Sequence, residues 1–134
     1  MESKIIDLCK YRMDIAKDTL DTAKLCLEHQ HYRDTINRCY YAAFYAVKAV
    51  LALEEVDFKR HKDAIAYFNK NYVALGIFER ELGRQLGRLK QKRGASDYDD
   101  FYVVSHDEAL LQYKTTEQIV KSIRQFLIHQ KIYD

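Results

Sequence analysis

Apolar side chains recur every three or four residues along most of this 134-residue chain. The first run of this kind predicts one helix from about residue 3 to residue 29, with a single apolar seam along one face. The seam consists of Ile6, Cys9, Met13, Ala16, Leu20, Ala23 and Leu27. A continuous seam of this length is typical of a helix that packs against neighbours in a bundle.

A second helix follows the polar segment "EHQHYRD" and is apolar around most of its circumference. Its main seam is formed by Tyr40, Phe44, Val47 and Leu51. Further apolar positions on its other faces predict that it packs against more than one neighbouring helix. Its alanines, Ala42, Ala43, Ala46 and Ala49, would allow close approach either inside the bundle or across a dimer interface.

Three more apolar patterns follow. A shorter seam from Ala64 to Leu75 ends at Gly76, a residue that suits the C-terminus of a helix. Leu82, Leu86 and Leu89 mark a fourth helix, and residues 93–104 lack a seam and are predicted as a loop. Ser105 and Glu108 have the spacing of a capping box, which predicts that a last helix begins there.

The last seam consists of Ala109, Tyr113, Thr116, Val120, Ile123 and Leu127. The chain contains no proline and four glycines, a composition that favours long helices and few tight turns. We therefore predict an all-α protein, an up-and-down antiparallel bundle of four to five helices. The length is that of one domain, residues 1–134.

Charge and cysteine content indicate which partners and which cellular compartment suit the protein. The formal net charge is +2, too small by itself to indicate a nucleic-acid partner. Three cysteines without a C-x-x-C pair predict free thiols in a reducing cytoplasm, and we expect neither a metal nor a cofactor. Lys48 interrupts the most apolar segment and charges occupy the N-terminus, so we expect no membrane span and no signal peptide.

Three sequence segments together resemble the HEPN superfamily of small helical domains. They are "NRCYYAAFYAVKAVL", "KRHKDAIAYFNKNYV" and "RGASDYDD", and the resemblance covers nearly the whole chain. It implies a four- or five-helix bundle and frequent homodimers. It also implies frequent pairing with a minimal nucleotidyltransferase as a toxin–antitoxin module.

The resemblance also implies a test for catalysis. Active members of the superfamily are metal-independent ribonucleases that use an arginine and, four to six residues later, a histidine. Here Arg93 is present, but Tyr98 stands at the nearest position allowed for the histidine. One literal match, Arg124 with His129, lies in the last helix, where a five-residue step turns the two side chains to different faces.

Arg93 continues the seam of the fourth helix and therefore requires a partner for its charge. Asp97 lies four residues further along, and the Tyr98 hydroxyl is a further contact. Two interpretations stay open. The three side chains form a buried clasp that holds the loop before the last helix, or they line a cleft that faces nucleotide or RNA.

His61 begins the third predicted helix among Lys59, Arg60 and Lys62. It is either a capping or surface residue, or a contact for phosphate, because cations and helix N-terminal amides attract anions. A second basic run contains no acid between Leu82 and Ser96, and its members are Arg84, Arg88, Lys90, Lys92 and Arg93. If the two runs meet on one surface, they form an RNA-binding patch. The acidic "DYDD" beside them would instead suit a basic partner.

Tyrosines add one more expectation from the resemblance. Superfamily members paired with a nucleotidyltransferase can be silenced by nucleotide transfer to a tyrosine near the arginine–histidine motif. The nearest tyrosines here are Tyr98 and Tyr102.

The sequence supports three functional hypotheses. The first is a homodimeric nucleotide- or RNA-binding module that acts with a nucleotidyltransferase through His61, Arg93, Asp97 and Tyr98. The second is a ribonuclease toxin that uses Arg93 with His61. The third is a structural interaction domain.

Overall fold

The computed structural model describes residues 2–133 and contains five α-helices in this part of the chain. They are α1 (Ser3–Glu28), α2 (Tyr32–Ala52), α3 (His61–Phe68), α4 (Arg80–Tyr98) and α5 (His106–His129). The prediction of an all-α bundle of four to five helices is confirmed. Among residues 2–133, no helix combines the length and apolarity that crossing a membrane requires.

Helix α2 lies at the centre of the bundle and contacts α1, α3, α4 and α5. A three-residue connection joins it to α1, so the two helices form an antiparallel hairpin. It also runs antiparallel to α4, since Tyr41 meets Arg93 while the earlier Asn37 meets the later Asp97. Four alanines of α2 are fully buried within this one chain, so they are not available as a dimer face: Ala42, Ala43, Ala46 and Ala49.

Glycine is needed at two places around the short helix α3. The helix continues into a π-helical turn, Asn69–Val73, and the chain then reverses at Gly76 with a φ of 83°. A Cβ atom at Gly83 would lie 3.1 Å from a methyl carbon of Val73. The absence of a side chain at Gly83 therefore lets α4 approach the π-helical turn that follows α3.

The N-terminus of α5 follows the predicted capping box. The Ser105 hydroxyl accepts a hydrogen bond of 3.1 Å from the backbone N–H of Glu108, and the helix begins at His106.

The interior of the bundle contains two of the three cysteine thiols. Burial raises the pKa of the Cys9 thiol to about 11 and that of the Cys39 thiol to about 12, so both stay protonated and unreactive at neutral pH.

The prediction of a loop over residues 93–104 is wrong for its first half, because α4 extends to Tyr98. The reason is a tertiary contact. Arg33 on α2 donates hydrogen bonds to the backbone carbonyls of Ser96, Asp99 (3.0 Å) and Tyr102. Carbonyls at a helix C-terminus lack partners within the helix, and the guanidinium supplies one from another element. Arg33 thereby holds both the end of α4 and the start of the connection to α5.

Candidate functional site

His61 is the first residue of α3, and its ring lies against α2. The imidazole stacks on Phe44 with ring centres 3.9 Å apart, and its Nδ1 lies 3.1 Å from the Tyr40 hydroxyl. Tyr41 contacts the ring edge-on at 5.8 Å. These aromatic contacts fix the orientation of the imidazole. In the described part of the chain, Nε2 has no hydrogen-bond partner and is the ring nitrogen available to a ligand.

The surroundings of His61 favour its neutral form. Burial of the ring is the first cause, and the positive charges of Arg93, Lys48 and Lys90 add to it, so that the pKa of His61 lies below its ordinary value of 6.5. A neutral imidazole at neutral pH can accept a proton or a hydrogen bond. An approaching anion would reverse the effect of these charges and favour the protonated ring.

Arg93 on α4 lies against the same tyrosines. Its guanidinium carbon is 5.2 Å from the ring centre of Tyr40 and 5.3 Å from that of Tyr41, and Nη2 donates a 3.1 Å hydrogen bond to the Tyr41 hydroxyl. Its Nε lies 3.0 Å from Oδ2 of Asp97, although the angle does not make this ion pair a hydrogen bond. We call His61, Arg93, Tyr40, Tyr41 and Phe44 the His61–Arg93 cluster.

Tyr98 lies outside this cluster. Its side chain is 80% exposed, and Tyr41 instead supplies the hydroxyl that contacts Arg93. Tyr102 has different surroundings. Its hydroxyl donates a hydrogen bond to Glu108, and Glu108 also forms a 2.8 Å ion pair with Lys92. Burial and then the hydrogen bond to Glu108 raise the pKa of Tyr102. Of these two tyrosines, only Tyr98 has a freely exposed ring.

The literal arginine–histidine match in α5 does not form a pair. The guanidinium carbon of Arg124 lies 4.5 Å from the ring centre of Tyr133, near the C-terminus, whereas His129 is exposed. The structure therefore places the two side chains in different surroundings, as the five-residue helical step indicates.

Two cations near the cluster, Lys48 and Arg38, were not assigned to a site by sequence analysis. A third, Lys90, belongs to the second basic run and also lies near His61. Lys48 lies 3.7 Å from Asp57, a carboxylate that Arg12 also approaches at 3.7 Å. Lys90 is in none of the ion pairs found among residues 2–133. The sequence does indicate that Lys48 lies near Phe44, because Lys48 follows Phe44 by four residues and therefore lies on the same helix face. Lys90 likewise precedes Arg93 by three residues on α4.

A groove of about 540 Å³ lies elsewhere, between the first turns of α4 and the second half of α5. Phe78, Leu82 and Phe126 contribute its apolar part, and its rim carries Glu79 and Lys121. It shares no residue with the His61–Arg93 cluster. Because its charged groups are mixed in sign, the groove does not select an anion.

The chemistry of the cluster is that of an anion site. It combines a permanently charged guanidinium, a histidine that can gain a proton, further cations nearby and aromatic rings. Among residues 2–133, only Asp97 contributes a negative charge in direct contact with Arg93. Such a site can bind a phosphate group, and a neutral histidine beside an arginine can also move a proton during phosphoryl chemistry.

Comparisons with known proteins agree with the residues that suggested the resemblance. The family model for the HEPN domain matches residues 9–126. A UPF0332 protein of Thermotoga maritima is 35% identical over 99 residues, which cover 74% of this chain and 73% of that protein. A Methanocaldococcus jannaschii protein named "Putative toxin" is 28% identical over 118 residues, which cover 86% of this chain and 88% of that protein. The chain belongs to the HEPN domain family.

Proposed function

We propose that this protein is a cytoplasmic, homodimeric nucleotide- and RNA-binding module that acts with a separate nucleotidyltransferase in a toxin–antitoxin or related system. The observation that carries the binding role is the meeting of His61 and Arg93 in one aromatic cluster, with Lys48 and Lys90 close enough to lower the histidine pKa. The toxin name of a relative supports the toxin–antitoxin setting. The dimer and the nucleotidyltransferase follow from the family resemblance.

The electrostatics explain why the ligand would be a phosphate. Burial and then the charges of three cations lower the pKa of His61, so further positive charge at the site is unfavourable. A phosphate would offset this repulsion and accept hydrogen bonds from Arg93 and from protonated His61. Nucleotides and RNA supply phosphates together with bases that can stack on exposed tyrosines such as Tyr98.

The binding test uses a fluorescent single-stranded RNA and measures anisotropy in the presence of EDTA. We expect the affinity to rise several-fold between pH 7.5 and pH 6, because bound phosphate favours protonation of His61. A His61→Gln variant should bind more weakly at pH 6 and lose this pH dependence. Absence of RNA and nucleotide binding by the unmodified protein would exclude the proposal.

The stability of the free protein should change with pH in the opposite direction. The pKa of His61 is lower in the folded chain than in the unfolded chain, so unfolded His61 binds its proton at higher pH. The contribution of neutral His61 to stability is therefore complete above its ordinary pKa and decreases as the pH falls towards the folded pKa. Thermal unfolding of the ligand-free protein and of His61→Gln between pH 7.5 and pH 6 measures this difference.

A ribonuclease is the second candidate, and the free Nε2 of neutral His61 beside Arg93 favours it. Nε2 would take the proton of a ribose 2′-hydroxyl as its oxygen bonds to the adjacent phosphorus. The bond from phosphorus to the 5′-oxygen of the next nucleotide would break, and this oxygen would take a proton from water. Arg93 would stabilise the charge that develops on the phosphorus oxygens. The same RNA, incubated without metal, should then yield products ending in a 2′,3′-cyclic phosphate. Loss of these products in His61→Gln would support the enzyme, and an all-2′-deoxy oligonucleotide that binds without being cut is the matched control.

A further inference from the structure

Arg38 on α2 shares the ring of Tyr41 with Arg93. The guanidinium carbon of Arg38 lies 5.2 Å from the ring centre of Tyr41, and that of Arg93 lies 5.3 Å from the same centre. The two guanidinium carbons are therefore separated by no more than the sum of these two distances. Tyr41 thus contacts two guanidiniums that come from different helices.

Arg38 has a neutral hydrogen-bond partner within residues 2–133. Its Nε donates a 3.0 Å hydrogen bond to the side-chain oxygen of Asn37, a neutral acceptor, and among residues 2–133 it forms no ion pair with an acid. Asn37 in turn donates a 3.5 Å hydrogen bond to Oδ2 of Asp97, the carboxylate that pairs with Arg93. One carboxylate is therefore linked to both arginines, directly to Arg93 and through Asn37 to Arg38, and the group carries an excess positive charge.

Stacking and hydrogen bonds orient both guanidiniums before any ligand arrives. A planar guanidinium binds phosphate through two parallel hydrogen bonds, and less conformational freedom is lost when it is already oriented. Two such groups around one tyrosine ring match two consecutive phosphates of one strand better than the single phosphate of a mononucleotide.

We infer that Arg38 and Arg93 contact successive phosphates of a single-stranded RNA, with Tyr41 as the spacer between them. The inference rests on the proposed binding function and specifies its ligand as a polynucleotide segment. Each phosphate that a protein neutralises on a single strand contributes about 0.7 to the slope of log affinity against log salt concentration. Arg38 and Arg93 should therefore each contribute one such increment.

The experiment measures binding of a single-stranded RNA octamer between 50 and 300 mM salt for the full-length protein and its variants. Arg38→Gln and Arg93→Gln should each lower the salt slope by about 0.7, and the double variant by about 1.4. For Arg38→Gln this corresponds to an affinity about fivefold weaker at 0.1 M salt. Arg38→Lys keeps the charge and should retain the slope, which separates a phosphate contact from a packing defect.

The matched control is Arg124→Gln, because Arg124 also stacks on a tyrosine ring, at 4.5 Å, but in different surroundings. It should leave affinity and slope unchanged. If Arg93→Gln lowers the slope while Arg38→Gln does not, the inference about Arg38 is wrong and the proposed function stands. If the unmodified protein does not bind the octamer, both are wrong. Circular dichroism confirms that each variant is folded.

Discussion

Replacing Arg93 with glutamine is expected to weaken RNA binding, whereas replacing Asp97 with asparagine is expected to strengthen it. The first change removes a charge-assisted contact to phosphate and should cost roughly tenfold or more in affinity. The second removes the carboxylate that lies 3.0 Å from Nε of Arg93, so the guanidinium can turn fully towards phosphate. Anisotropy titrations with the same RNA measure both effects.

Stability distinguishes this result from a purely structural role. The side chains of Arg93 and Asp97 are 24% and 28% exposed, and either substitution breaks their ion pair. Both variants should therefore lose free energy of unfolding, on the order of 1 kcal/mol. A binding site predicts opposite changes in RNA affinity with this common loss of stability. A structural clasp predicts the common loss alone, with RNA affinity unchanged in both variants.

Replacing Phe68 with alanine is expected to cause a large loss of stability. Phe68 is fully buried at the end of α3, with ring centres 5.4 Å from Tyr72 and 5.3 Å from Phe78. Removing a buried phenyl group leaves a cavity and should lower the free energy of unfolding by about 3–5 kcal/mol. Chemical denaturation followed by circular dichroism measures this change.

A matched control for this variant is the same substitution at Phe101, whose side chain is 94% exposed. Its effect should stay within about 0.5 kcal/mol, because little apolar surface is buried there. A small loss for Phe68→Ala would show that α3 and the π-helical turn contribute little to the core. The position of His61 would then rest on its contacts with α2 alone.

The helices with long apolar seams could be predicted from sequence because their pattern is local. The observed α1, Ser3–Glu28, agrees closely with the prediction of residues 3–29, and the Ser105 cap lies where the capping box indicated. A helix period repeats within a few residues, so neighbouring positions suffice to reveal it. Leu75 is an exception, since it belongs to the predicted third seam but is 72% exposed after the π-helical turn.

The end of α4 could not be predicted in this way. Residues 93–98 carry no apolar seam, yet they are helical because Arg33, about 60 positions earlier in the chain, binds carbonyls at and beyond the helix end. A contact across this separation leaves no periodic signal in either segment. The contacts of Tyr41 could not be predicted either. The apolar pattern places Tyr41 on a packed helix but does not show that its ring contacts two arginines.

By itself, the sequence determined the all-α class, the positions of most helices and the resemblance that the HEPN domain match confirms. It also supplied His61, Arg93 and Asp97 as candidates. Only the tertiary structure decided which charges share one site. His61 and Arg93 come from α3 and α4, and α2 brings them together through its tyrosines. The physical reason is that helical periodicity depends on nearby residues, whereas the electrostatic surroundings of a side chain depend on the packing and register of separate helices.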